Sequence, residues 1–158
     1  MEKIFIGKIV NTFGIKGMLK INSSFEMRKK AFVKNNEIII NDHNYLITES
    51  KLHKNNYLIE INNLKDINLV LNFINQDVYI NRKELKLQDN EYLYNDLLNL
   101  EVYDNNHLTG LVTEVIPGKN PLIKINNKFY IPIKSDFIIK MDFKNKKLIC
   151  QNLKGLML

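Results

Sequence analysis

The feature that most constrains the fold of this sequence is the regular interruption of its apolar stretches. Short apolar or alternating runs are separated by clusters of Asn, Asp and Gly. Such runs, bounded by turn residues, are typical of the strands of an antiparallel barrel. The sequence therefore predicts an all-β fold with one or two short helices. In the first half the runs occupy residues 3–10, 18–23, 36–42, 45–50, 56–61 and 77–81.

A second series of strand-like runs follows a polar, non-periodic stretch. Asn105-Asn106 and Asn126-Asn127 mark hairpins within it, because Asn tolerates the left-handed conformation that tight turns need. Pro132 predicts an edge position or the end of a strand. The runs of this series occupy residues 99–104, 108–116, 121–126, 128–133 and 146–152.

The two series predict two small β-barrels in tandem. The expected boundaries are residues 1–82 for the first barrel, 83–91 for a linker and 92–158 for the second barrel.

One segment departs from the strand pattern. Ile67, Val70, Leu71 and Ile74 recur at the spacing of one helical face, and Asp66 precedes them as a candidate N-cap. The sequence predicts a short helix over residues 66–74.

The charge balance favours an anionic partner without identifying it. The 158 residues carry 23 Lys and Arg against 17 Asp and Glu, a net charge of +6. Residues 1–85 hold +4 of this charge and residues 86–158 hold +2. The chain also contains 24 Asn and many Lys and Ile, a bias typical of an AT-rich genome. Lysine content alone therefore does not identify nucleic acid as the partner.

Cysteine usage and hydropathy indicate the compartment. Cys150 is the single cysteine, so an internal disulfide framework is excluded and a reducing compartment is expected. The apolar runs are far shorter than the roughly 20 residues that span a bilayer, and the first residues lack the pattern of a signal peptide. The sequence predicts a cytoplasmic protein without a membrane partner.

The residues that would support catalysis are scattered. His43, His53 and His107 stand in separate polar stretches without metal-ligand spacing, and solvated loop histidines are the expected outcome. Cys150 is expected to be an inert, half-buried thiol because no base stands near it in the sequence. No Walker or Rossmann fingerprint occurs. The sequence predicts no catalytic residues, no metal and no cofactor.

The opening stretch has two readings. Gly14 and Gly17 can supply the positive φ of a tight turn between two barrel strands. Alternatively, exposed amides with Lys8, Lys16 and Lys20 can contact a phosphate backbone. The residues alone favour the turn.

A tyrosine-rich stretch follows the predicted linker. Tyr92, Tyr94 and Asp96 precede leucines expected in the core. The tyrosines can fill the space between two domains, or they can form a protein-binding hot spot, in which tyrosine is enriched. On chemistry alone the two readings are equally supported.

Taken together, six motifs resemble the RimM family of ribosome maturation factors, in the order of that family and over essentially the whole chain. Each motif is short, and their order and spacing make the resemblance specific. The motifs are IGKIVNTFGIKGMLKI, EYLYNDLLNLEVYD, GLVTEVI, GKNPLI, IPI and MDFKNKKLI.

The resemblance implies a translation-factor-like six-stranded barrel followed by a PRC barrel. It further implies a monomeric, non-enzymatic assembly factor with two partners, a ribosomal protein of the small-subunit head and 16S rRNA in the immature 30S subunit. The rival reading is a general RNA-binding β-barrel module without a specific ribosomal-protein partner.

The resemblance also assigns candidate residues. The residues that it implies for ribosomal-protein binding are Tyr92, Leu93, Tyr94 and Asp96. Leu93 stands where the family has a second tyrosine. Ribosomal contact falls to the opening loop, where Phe13 replaces the usual histidine. The loop candidates are Lys8, Gly14, Lys16, Gly17 and Lys20.

Overall fold

The computed structural model describes residues 2–158, which form twelve strands in two six-stranded sheets. Within residues 2–158, one α-helical turn, Arg28–Ala31, accompanies the strands, together with short 3-10 turns. The all-β prediction is confirmed. The chain divides into two compact units, the first ending at Glu91 and the second spanning Tyr92–Leu158.

The first unit is a closed barrel with the strand order β1-β2-β5-β4-β3-β6. Its six strands coincide with the six predicted runs, and the predicted six-stranded barrel is confirmed. Alternation places Ile9, Leu19 and Ile21 inside, where their side chains are fully buried. The strands are β1 (Lys3–Phe13), β2 (Met18–Asn22), β3 (Glu37–Ile40), β4 (His43–His53), β5 (Asn56–Ile61) and β6 (Asp77–Asn81).

The second unit is a six-stranded sheet around one core, to which all six strands contribute apolar side chains. Its strands are β7 (Glu101–Asp104), β8 (His107–Ile116), β9 (Leu122–Ile125), β10 (Phe129–Pro132), β11 (Ile138–Asp142) and β12 (Lys147–Cys150). The order is β10-β9-β8-β7-β12-β11, so the described ladder has two edges and does not close as the first one does. Pro132 ends the edge strand β10, as predicted.

Strand β11 was not among the predicted strands. The register shifts between Ile138 and Lys140, so Ile139 is left outside the regular pairing and is 59% exposed. A bulge of this kind interrupts the period-2 alternation from which a strand is recognised.

The segment predicted as a helix forms two 3-10 turns, Ile67–Leu69 and Leu71–Phe73. Asp66 caps the first turn as predicted, because its carboxylate accepts a hydrogen bond from the Asn68 N–H at 2.9 Å. Of the predicted apolar face, Val70 is buried and Ile67 and Ile74 are half-buried, so the prediction is wrong for Leu71. Because a 3-10 helix has three residues per turn, Val70 and Phe73 lie on the same side and are buried, whereas Leu71 is 47% exposed.

Residues 82–91 lie within the first unit. Arg82–Leu85 form a 3-10 turn in which Leu85 is buried. Glu91 forms an ion pair with Lys30, whose hydrogen bond lowers the pKa of the Glu91 carboxyl. The linker role of residues 83–91 stays a prediction.

A specific hydrogen-bonding arrangement joins β8 to the turn after β9. The Asn126 side chain accepts from the Leu111 N–H at 3.0 Å, and the Asn127 N–H donates to Thr113 Oγ1 at 3.0 Å. The Thr113 hydroxyl donates to the carbonyl of Lys124 at 3.1 Å. Thr113 is a bulged residue, so these bonds stabilise an irregular point of the ladder.

The same arrangement recurs between β4 and the turn after β5. Asn62 accepts from the Leu46 N–H at 2.8 Å, the Asn63 N–H donates to Thr48 Oγ1 at 3.2 Å, and Thr48 Oγ1 lies 3.2 Å from the Glu60 carbonyl oxygen. Both copies share the pattern L-[IV]-T-E followed by I-x-I-N-N. The repeat is too short to be recognised in the sequence, yet it forms the same hydrogen-bonded bulge and turn in each unit.

Asn126→Ala is expected to cost about 1–2 kcal/mol more than Asn127→Ala, because Asn126 also donates to the Thr109 carbonyl at 3.1 Å. Both asparagines have positive φ, 54° and 57°. Alanine is disfavoured in this conformation at both positions, so this conformational cost cancels when the two variants are compared. Urea unfolding measures the difference, and hydrogen exchange of the Leu111 amide should accelerate only in the Asn126 variant. Equal costs would contradict a role for the side-chain bonds.

Candidate functional site

The loop between β1 and β2 is a tight turn built on two glycines. Gly14 and Gly17 have φ values of 74° and 70°, and the Gly17 N–H donates to the Gly14 carbonyl at 3.2 Å. The predicted use of the glycines for positive φ is confirmed. The Ile67 N–H donates to the Ile15 carbonyl at 3.3 Å, which ties the turn to the 3-10 segment.

The three lysines predicted to act with this loop do not occupy one place. Lys16 is exposed at the tip and lines a cleft of about 470 Å³ beside the loop, whereas Lys8 and Lys20 do not line it. Lys20 is half-buried opposite Asn11. Lys8 lies opposite Asp77 of β6.

Two further lysines in the cleft were missed from the sequence. Lys51 on β4 and Lys65 after β5 line it together with Lys16. They are far from the opening loop along the chain, and only the pairing of β2 with β5 and of β5 with β4 brings them to it. Their spacing in the sequence carries no signal of this arrangement.

The electrostatics of the cleft favour an anion. Its lining carries three lysines against two carboxylates, an excess of one positive charge. Glu49 in addition pairs with Lys34 at 3.1 Å, whereas Glu60 accepts from the Thr48 hydroxyl at 2.6 Å and keeps its charge. Within residues 2–158, no ion pair shorter than 4.0 Å engages Lys16, Lys51 or Lys65. The lysines of the cleft therefore remain available to a ligand.

An aromatic ring forms one wall of the cleft. Phe13 is 39% exposed, and its ring lies 4.9 Å from the imidazole of His53 at an angle of 52°. The Lys51 Nζ lies 5.9 Å from the centre of the Phe13 ring. The prediction of a solvated loop histidine is wrong for His53, which is half-buried at the end of β4 against Phe13.

The tyrosine-rich stretch contains a 3-10 turn, Tyr94–Leu97. The Asp96 carboxylate accepts from the Leu93 N–H at 2.9 Å, and the Asp96 N–H donates to the Leu93 carbonyl at 2.9 Å. Asp96 thus caps the turn. Leu93 is only 3% exposed, so its side chain is not at the surface.

The two tyrosines of this stretch are half-buried and pack against the core of the second unit. The ring of Tyr92 lies 5.5 Å from that of Phe143 at an angle of 35°. Phe143 is 37% exposed. Tyr92 and Phe143 contact each other, and Tyr94 packs against the same core as Tyr92; these three residues are here called the aromatic cluster.

Residues considered for catalysis lie apart. Cys150 is fully buried rather than half-buried, and burial, followed by the charge of Asp104, raises the pKa of its thiol to about 12. A thiol in this state is protonated at neutral pH and is a poor nucleophile. No group of three or more His, Cys, Asp or Glu within residues 2–158 is placed to hold a metal ion.

The RimM N-terminal domain matches residues 4–85, which is the barrel and the turn that follows it. The chain belongs to the RimM family. The ribosome maturation factor RimM of Ligilactobacillus salivarius is 33% identical over 96% of each chain. That of Oenococcus oeni is 29% identical over 99% of this chain and 98% of its own. Membership of the RimM family supports a role in ribosome maturation.

The solution structure of the N-terminal domain of RimM from Thermus thermophilus aligns with a TM-score of 0.47 at 15% identity. The alignment covers 54% of this chain and 95% of the Thermus thermophilus domain. None of the described helices is long and apolar enough to cross a membrane.

Proposed function

We propose that this RimM-family chain is a non-enzymatic ribosome assembly factor. It binds a ribosomal protein of the small-subunit head and the immature 30S subunit, and it promotes 16S rRNA processing and head maturation. It acts as a cytoplasmic monomer without a cofactor. The observation that carries the proposal is that similarity to RimM relatives extends over 96% and 99% of the chain, and so includes both units.

The aromatic cluster is the proposed contact for the ribosomal protein. Tyrosine buries a large area at the cost of few rotatable bonds, which is why it is enriched at hot spots. Packing against the core restrains Tyr92 and Tyr94 before the partner arrives, so little conformational entropy is lost on binding. Leu93 and Asp96 act indirectly, by burial and by the cap that shape this segment.

The proposed mechanism requires different affinities for two states of the subunit. A factor that bound immature and mature 30S subunits equally well would shift no folding equilibrium. Engagement of protein by the second unit and of rRNA by the first would raise the effective concentration of each for the other. Maturation would then weaken at least one contact and release the factor.

Replacing Tyr92 and Tyr94 together with alanine is expected to weaken binding of the head ribosomal protein at least 30-fold, about 2 kcal/mol, the loss typical of a hot spot. Pull-down with purified head ribosomal proteins identifies the partner, and titration measures the loss. Tyr130→Ala is the matched control, because Tyr130 is 42% exposed on the edge strand of the same unit. Equal effects of the double variant and the control would contradict the assignment.

Co-sedimentation tests the wider proposal. The wild-type chain is expected to sediment with immature 30S subunits and much less with mature ones. Equal sedimentation with both would rule out the maturation mechanism.

The lysine-lined cleft favours a second candidate, a general RNA-binding β-barrel module. Salt dependence separates the two functions, because phosphate-dominated binding weakens steeply with salt whereas an aromatic protein interface does not. A steep salt dependence without any ribosomal-protein partner would favour the general module.

A further inference from the structure

We propose that the cleft beside the β1–β2 loop is a single-stranded RNA site. An unpaired base stacks on the ring of Phe13, and the adjoining phosphates bind Lys16, Lys51 and Lys65. This inference rests on the proposed function for the source of its RNA and adds the mode of recognition.

The Phe13 ring has the properties of a stacking platform. It is 39% exposed at the wall of the cleft, and the contact with His53 at 4.9 Å limits its movement. Every base presents a π-face, so stacking on an aromatic side chain suits RNA of varied sequence. A ring held in place by a second ring loses little freedom when a base covers it.

The lysines supply the phosphate contacts. Lys16, Lys51 and Lys65 are exposed and line the same cleft, and no carboxylate within residues 2–158 forms an ion pair with them. Lys51 lies over the Phe13 ring at 5.9 Å. Such an exposed cation–π contact is weak, so the amine can leave the ring for a phosphate when a base arrives.

The fold brings these groups together before binding. The turn closed by Gly14 and Gly17 presents Lys16, and the hydrogen bond from Ile67 to Ile15 fixes that turn beside the segment that carries Lys65. The cleft volume of about 470 Å³ falls within the range of small-ligand clefts, roughly 300–1,000 Å³. One nucleotide with its flanking phosphates is the ligand that uses both the ring and the amines.

An acidic peptide would satisfy the lysines and leave the aromatic wall unused. This difference makes the ring the decisive element of the test. Phe5 offers a matched comparison, because it is 53% exposed on β1 of the same barrel and contacts the ring of Tyr79 at 5.7 Å.

The experiment is fluorescence anisotropy of the full chain with a labelled oligocytidylate of about eight nucleotides, the scale of a single binding domain. Phe13→Ala is expected to weaken binding about tenfold, whereas Phe5→Ala should leave it unchanged. Equal effects of the two variants, or no effect of either, would overturn the base-stacking site. Displacement by polyglutamate together with an unaffected Phe13 variant would identify a general anion site instead.

A second measurement does not depend on the folding of the Phe13 variant. Lys16→Ala combined with Lys65→Ala should reduce the slope of log K against log salt by about 1.4, since each phosphate contact on a single strand contributes about 0.7. Lys144→Ala combined with Lys154→Ala removes two exposed lysines of the second unit and should leave the slope unchanged. An equal change in both double variants would overturn the site.

The two proposals fail in different ways. Sedimentation with immature 30S subunits without oligonucleotide binding would remove the cleft assignment and leave the assembly role. Oligonucleotide binding that depends on Phe13, without sedimentation, would keep the RNA site and remove the assembly role.

Discussion

Gly17→Ala is expected to lower the free energy of unfolding of the first unit by about 2–4 kcal/mol. Two costs combine. The residue has a φ of 70°, which a side chain disfavours, and an added Cβ would lie 2.8 Å from the Ile67 Cα and 2.9 Å from its backbone nitrogen. Backbone atoms cannot rotate away as a flexible side chain can, so the turn and the 3-10 segment would have to separate.

Gly14→Ala is the matched control, because Gly14 has a φ of 74° and an added Cβ there would meet no atom within 4 Å. Only the conformational cost, about 1 kcal/mol, is expected there. Urea unfolding followed by circular dichroism measures both variants, and hydrogen exchange over residues 3–22 assigns the loss to the first unit. If the two variants lost the same free energy, contact between Gly17 and Ile67 would not be the cause.

The first unit could be predicted from the sequence because its determinants are local. Apolar runs and clustered turn residues delimit all six strands, and twelve asparagines adopt positive φ at or near turns. The asparagine content therefore has a structural use, whatever its origin in the genome. Prediction failed for strand β11, where Ile139 stands outside the regular pairing, and for the 3-10 turns that replace the predicted helix and bury Val70 and Phe73.

The candidate site was less predictable because it depends on distant residues. Lys16 could be identified from its glycine neighbours, whereas Lys51 and Lys65 join it only through strand pairing. Similarly, the motif that names Leu93 carries no information about burial, and its side chain proves to be 3% exposed. Family motifs indicate where a segment matters, but the fold decides which of its side chains reach the surface.

Stability of the second unit is expected to fall between pH 9 and pH 12 because of Cys150. The thiol pKa is raised from 9.0 to about 12 in the folded chain, by burial and by the charge of Asp104, which pairs with Cys150 across β7 and β12. Below pH 9 the thiol is protonated in both the folded and the unfolded chain, and the stability that the buried thiol contributes is fully present. Above it the unfolded chain releases the proton while the folded chain keeps it, so stability decreases by about 1.4 kcal/mol per pH unit.

The comparison with Cys150→Ala isolates this effect, because the two chains differ only at the thiol. Because Cys150 lies in the second unit, the unfolding transition that Cys150→Ala shifts at pH 8 is the transition of that unit. Between pH 9 and pH 11 the wild type should lose about 2 kcal/mol relative to the variant. A constant difference over that range would mean that the thiolate is accommodated beside Asp104. Such a result would require water to reach a side chain whose exposed fraction is 0%, and hence an opening of β12 from β7.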